Sequence, residues 1–154
     1  MITQKMKYAL KALLVLADEA ARGEPEPLTI EEIAKRSGTP KRFLEHILLE
    51  VRNAGVIASI RGRSGGYVLI KKPKEISIPE LLRVIDGPIA PLPCLSRRAY
   101  QRCEDCTDEA TCRIRKVFAD VFWSYLVMIE SLTLQDMLRS GDTADQVLGS
   151  AQQA

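Results

Sequence analysis

The stretch LTIEEIAKRSGTPKRFLEHILLEVRNAGVIASIRGRSGGYVLI, residues 28–70, decides the fold. Thr29 to Glu32 has the S/T-x-x-E form of a capping box, which predicts a short helix from Ile30 to about Arg36. Ser37-Gly38-Thr39 reads as a tight turn, and Pro40 takes a first-turn position, where its missing N–H costs nothing. The helix that follows, Pro40 to Asn53 or Ala54, carries Phe43, Leu44, Ile47, Leu48 and Val51 at three- and four-residue spacing as its buried stripe, with Gly55 as a left-handed stop. Two short β segments, Ile57–Ile60 and Tyr67–Ile70, flank Arg61-Gly62-Arg63-Ser64-Gly65-Gly66. Two helices joined by a short Gly-containing turn and followed by a hairpin make a winged helix-turn-helix.

Working outward, Thr3 to Ala21 forms a first helix with Ala9, Leu10, Leu13, Leu14, Leu16, Ala17 and Ala20 on a broad apolar face. Gly23, Pro25 and Pro27 end it. Ser77 to Glu80 is a second capping-box pattern, opening a helix that stops at Asp86-Gly87-Pro88. From Ile89 to Cys112 the periodicity disappears, and prolines give way to cysteines. A long amphipathic helix resumes near Arg113, with Ile114, Phe118, Val121, Tyr125, Met128 and Leu132 at 4-3-4-3-4 spacing and Val117, Phe122, Leu126 and Ile129 widening the stripe. Thr133 to Asp136 can cap a short continuation. The expected class is mainly α with a small β-hairpin wing, a winged helix-turn-helix plus a long C-terminal helix. Its divisions are the winged helix-turn-helix over 1–87, a cysteine-rich loop over 88–112, the long helix over 113–139 and a disordered tail over 140–154.

Charge is concentrated rather than abundant. The net charge of the chain is +2, yet Lys35 to Lys74 holds ten Lys or Arg residues against Glu45 and Glu50. A local excess of that kind suits a polyanion. A recognition helix presents its exposed N-terminal residues to base edges, here Thr39, Lys41 and Arg42, with Glu45 one turn on as an acceptor for a cytosine amine or a partner for Arg42 or Lys41. At the hairpin tip, Arg61 and Arg63 suit the minor groove or phosphates, while Gly62, Gly65 and Gly66 allow close backbone approach. The expected partner is double-stranded DNA. No signal peptide and no apolar run of membrane length is visible, so the chain is expected in the cytoplasm with its thiols reduced, and without a membrane partner.

The motif from Pro40 through Glu45, the run Ala54-Gly55-Val56-Ile57-Ala58-Ser59-Ile60-Arg61-Gly62-Arg63-Ser64-Gly65-Gly66-Tyr67-Val68-Leu69 and the helix entry Ile76-Ser77-Ile78 resemble the Rrf2 family of winged-helix regulators, which includes IscR, NsrR and RirA. The resemblance covers about residues 1 to 138. It implies a homodimer with the long C-terminal helix at its two-fold interface. It also implies DNA contacts at Pro40, Arg42, Phe43 and Glu45 and, in the wing, at Arg61. Pro40 and Arg42 stand where cluster regulators often have small hydroxylic residues.

Cys94, Cys103, Cys106 and Cys112 are spaced C-x8-C-x2-C-x5-C within 19 residues. Four thiolates so close in sequence can close around a metal centre. The spacing lacks the two C-x2-C pairs of a zinc ribbon, although the ligand type leaves zinc open. The family resemblance implies an iron–sulfur cluster, [2Fe–2S] or [4Fe–4S], on Cys94, Cys106 and Cys112. Cys103 is then an addition, as a fourth ligand or a redox thiol, and Arg115 stands where some relatives carry a His ligand. The function expected is a ligand-gated repressor controlled by a cluster or by the redox state of the loop. The alternative is a cluster-free regulator controlled by a protein partner or small ligand, or one with a structural zinc. An enzyme is not expected, because the only His lies on the recognition helix and no nucleophile–base arrangement accompanies the cysteines.

Overall fold

The computed structural model describes residues 2–140. The tail expected over 140–154 falls outside the described residues from position 141 onward. The elements run α1 (Gln4–Ala20), α2 (Ile30–Ser37), α3 (Lys41–Asn53), β1 (Ile57–Ile60), β2 (Gly66–Leu69), α4 (Ile78–Ile85), α5 (Arg113–Glu130) and α6 (Leu134–Arg139), with 3-10 turns at Pro73–Glu75 and Pro93–Leu95.

Three helices of the head, α1, α2 and α4, start on a side-chain cap that the sequence supplies. The Thr3 hydroxyl accepts the Met6 N–H at 3.1 Å, opening α1. In α2 the box is complete. The Thr29 hydroxyl accepts the Glu32 N–H at 3.2 Å, and the Glu32 carboxylate accepts the Thr29 N–H at 2.7 Å. Glu31 and Glu32 in its first turn and Lys35 and Arg36 in its last complement the helix dipole. Gly38, at φ 63°, closes α2, and both its N–H and that of Thr39 turn back to the Ala34 carbonyl. That double closure leaves Pro40 extended, at ψ 131°, so Pro40 is the N-cap of α3 and not its first helical residue.

The core is one cluster. Met6, Leu13 and Leu16 of α1, Ile33 of α2, Leu44, Ile47 and Leu48 of α3 and Leu81 of α4 are all 2% exposed or less. Burying side chains of this size contributes on the order of 1.5–3 kcal/mol each. Phe43 departs from the predicted stripe. It is 40% exposed, because it lies on the flank of α3 against α1 and not beneath the helix.

The hairpin pairs antiparallel, with Ile57 opposite Leu69, Ala58 opposite Val68, Ser59 opposite Tyr67 and Ile60 opposite Gly66. Its second strand begins one residue earlier than predicted, because Gly66 itself pairs with Ile60. A further bridge joins Tyr67 to Leu28, with reciprocal N–H···O bonds of 2.7 and 3.0 Å. The wing is therefore stitched to the residue that precedes the cap of α2.

The helix expected over 113–139 is two helices. The α5 helix ends at Glu130, Thr133 and Asp136 form a fresh capping box, and α6 turns back onto the head. The Leu132 carbonyl accepts the Ile78 N–H at 3.0 Å, the Leu134 N–H donates to the Ile76 carbonyl at 2.9 Å, and the Leu134 side chain is fully buried. The break follows from Thr133, whose local bonds to Asp136 compete with helix continuation. Along α5 the apolar stripe divides. Phe122, Leu126 and Ile129 are buried, while Ile114, Val117, Val121 and Met128 are 60–74% exposed.

Candidate nucleic-acid interface and cysteine segment

The exposed surface of α3 carries Lys41, Arg42, Glu45 and His46. Thr39 does not join them. It is 3% exposed and its hydroxyl is buried without a partner, so it lies under the turn and not at a groove-facing edge. The extended backbone at Pro40 and the turn of N–H 39 toward α2 put it there. Lys41 is exposed but engaged: its ammonium pairs with Glu31 of α2, which raises the pKa of the lysine and lowers that of the carboxylate. Arg36, in the same basic block, is held by the buried Glu19 at 2.9 Å. Arg42, Arg61 and Arg63, by contrast, have no carboxylate partner among the described residues.

Arg61 and Arg63 are exposed at the wing. The glycines beside them answer first to the chain itself. A Cβ on Gly65 would collide with the Ile60 and Gly62 carbonyls, and one on Gly66 would collide with the Leu28 backbone. Gly62, at φ 110°, accepts the Gly65 N–H at 3.0 Å to close the tip. His46, expected on the surface of this helix, is exposed one turn from Arg42. The engagement of Lys41 by Glu31 joins two helices and has no local signal in the sequence.

The cysteine segment follows α4. Cys94 is buried with Leu95 in the 3-10 turn, where both join the core; Cys103, Cys106 and Cys112 are partly exposed, and all four are free thiols. Burial pushes the Cys103 thiol up, and the neighbouring Cys94 pushes the same way. The Cys106 N–H donates to the Cys103 carbonyl at 3.1 Å. Cys112 is the N-cap of α5, its sulfur accepting the Arg115 N–H at 3.4 Å. By donor chemistry this set suits an iron–sulfur or zinc centre. Among the described residues no three Cys, His, Asp or Glu side chains are gathered around one metal position.

The segment is fastened to the helices on both sides. The Arg97 guanidinium lies 4.3 Å from the ring centre of Trp123 on α5. Arg98 reaches Glu80 of α4 at 3.0 Å, and Arg83 of α4 bridges Glu80 at 2.8 Å and Glu130 of α5 at 2.5 Å.

A capped helix-turn-helix with an arginine-tipped wing and, at the start of its second helix, one guanidinium without a carboxylate partner defines a winged-helix DNA-binding transcriptional regulator. The comparisons with known proteins narrow this class. Residues 2–140 match the Rrf2 family, described as iron-dependent transcriptional regulators, and the chain belongs to that family. It is 76% identical over 148 residues to an rrf2-like HTH-type transcriptional regulator of Rhodobacter capsulatus, covering 96% of this chain and 99% of that protein. It is 27% identical over 141 residues to IscR of Serratia proteamaculans, covering 92% and 84%. Among solved structures, that of CymR, the global cysteine regulator of Bacillus subtilis, superposes with a TM-score of 0.71 at 30% identity, covering 92% of this chain and 98% of that one. These relatives are regulators and not enzymes. No described helix is long and apolar enough to cross a membrane.

Proposed function

We propose that this regulator acts in the cytoplasm as a homodimeric repressor whose operator affinity is set by the chemical state of its cysteine segment. The observation that carries the reading is the double anchorage of that segment. Cys94 is packed in the core and Cys112 caps α5, so a change at either thiol acts on the head and on the long helix together. The proposed divisions are a DNA-binding head up to residue 87, a sensor segment over 88–112 and the dimer helix α5, with α6 assigned to the head. Arg42, Glu45 and Pro40 at the start of α3, with Lys41 and Phe43, and Arg61 and Arg63 of the wing, are the proposed DNA-contacting residues.

The two-fold interface is assigned to the exposed stripe of α5. Ile114, Val117, Val121 and Met128 form an apolar row of the kind that helices bury against a second helix. Cys94, Cys103, Cys106 and Cys112 would hold an iron–sulfur cluster. A cluster bound there supplies a centre whose charge and integrity respond to oxidants and iron supply. The description of the family as iron-dependent and the likeness to IscR support this assignment. A second reading, thiol chemistry without metal, is favoured by the neighbouring free thiols of Cys94 and Cys103, the first buried and the second partly exposed.

Anaerobic purification with an absorption spectrum and iron and acid-labile sulfide counts tests the cofactor. A coloured protein that loses iron on Cys94→Ser, Cys106→Ser or Cys112→Ser is expected. A colourless protein with neither element removes the cluster and leaves the thiol reading. The reading surface is tested on a duplex selected by the protein from a random pool. Arg42→Ala and Arg61→Ala are each expected to cost about 1–3 kcal/mol on that duplex. Unchanged affinity of both variants across a salt series overturns the assignment.

A further inference from the structure

Arg42 is held before any ligand arrives. Its guanidinium carbon lies 4.8 Å from the ring centre of Phe43, over the ring. The Phe43 ring in turn lies 5.4 Å from that of Tyr8 on α1, the planes inclined at 44°. Tyr8 is set in α1 between Met6 and Ala9, both fully buried, so its backbone is fixed by the core. A cation over an aromatic face is attracted by the ring quadrupole, and an inclined aromatic pair restricts both rings. A long side chain ordered only on binding costs affinity that a side chain already ordered does not.

We propose that Tyr8 is a positioning residue for sequence recognition: its ring fixes Phe43, and Phe43 serves as the platform that holds Arg42 ready for a base edge. The row Tyr8–Phe43–Arg42 runs from the rigid core of α1 to the exposed start of α3. Neither aromatic ring carries charge, so the row contributes orientation and adds nothing to phosphate attraction. This inference rests on the reading of α3 as the helix that addresses the bases.

The experiment compares the full chain and its variants on two end-labelled duplexes, one selected by the wild-type protein from a random pool and one a scramble of equal length. Tyr8→Leu is expected to lower the affinity ratio between the two about two- to fivefold, the scale of an exposed cation–aromatic contact. Affinity for the scramble and the salt dependence stay as in the wild type. Tyr8→Phe retains the ratio, and Tyr8→Leu has no further effect in the Arg42→Ala background. An unchanged ratio, an equal loss on both duplexes, the same loss in the Arg42→Ala background or failure of Tyr8→Phe to retain the ratio each overturns the proposal. Should Tyr8→Leu not fold, as judged by circular dichroism, Tyr8→Met takes its place with the same outcomes. A wild-type protein that does not distinguish the duplexes removes the DNA reading itself. One that does, and loses discrimination on Arg42→Ala but not on Tyr8→Leu, removes only the role of Tyr8.

Discussion

Lys41 and Arg42 are neighbours in sequence and differ in what they have to offer a polyanion. Lys41 is tied to Glu31, whereas Arg42 is spread over a ring and has no acid to neutralise it. Glu31→Gln releases the lysine and removes one negative charge from the head. It is expected to raise affinity for any duplex about two- to fivefold at low salt, the scale of an exposed ion pair, and to steepen the salt dependence by up to about one counterion. Fluorescence anisotropy over a salt series reads both. Glu19 is the opposite case, a buried carboxylate whose charge serves the fold. The hydrogen bond from Arg36, aided by Arg22, holds its pKa below the ordinary value of 4.5 against the opposing effect of burial. The folded state therefore takes up that proton later than the unfolded chain. The stabilisation is present above about pH 4.5 and is lost as pH falls through the lowered value. Glu19→Gln is expected to flatten the acid limb of a stability–pH curve measured by urea unfolding, and an acid limb as steep as that of the wild type counts against this account.

At the scale of elements, the caps were legible and the packing partners were not. Thr29 and Glu32, Gly38 and Gly55 mark their helix ends through local bonds and local φ preferences, so nearby residues alone disclose them. Thr39 misled because its burial depends on how residues 37–40 close α2. Phe43 misled because three- and four-residue spacing cannot tell the centre of a buried stripe from its flank. The four cysteines were legible as a group, and their spacing did not disclose that Cys94 is buried in the core while Cys112 caps α5. The end of α5 was half legible: Thr133 and Asp136 announce a cap, and nothing local announces that α6 returns to the head. Leu134→Ala is expected to cost about 2–5 kcal/mol in thermal or urea unfolding. A cost near zero would show that α6 does not belong to the core of the head. For the wing, Gly66→Ala is expected to destabilise by about 1–3 kcal/mol, because its Cβ meets the Leu28 backbone and that backbone is pinned by the Tyr67 bridge. Ser64→Ala at the open tip should stay within about 0.5 kcal/mol.

For the molecule as a whole, the two faces of α5 separate two duties. Phe122, Leu126 and Ile129 bind the helix to its own head, and the exposed heptad-spaced row on the other side is the proposed interface with a second copy. Val121→Glu places a charge in the middle of that row at a side chain 64% exposed in the single chain. It is expected to leave the circular dichroism spectrum intact, halve the mass seen by light scattering and weaken operator binding about a hundredfold through loss of bivalency. A variant that stays dimeric would relocate the interface.

The joint between α5 and α6 has a mechanical consequence. The Ile78–Leu132 and Ile76–Leu134 bonds pin the chain at the far end of α5, while Cys112 sits at its near end. An 18-residue helix is a rod of about 27 Å, so a few degrees of rotation about the pinned joint displaces the Cys112 end by a couple of ångströms. On the proposed function α5 would be a lever with its fulcrum on the head and its handle in the cysteine segment, and Trp123, the only tryptophan, placed near its middle under Arg97, would be an optical gauge of any swing.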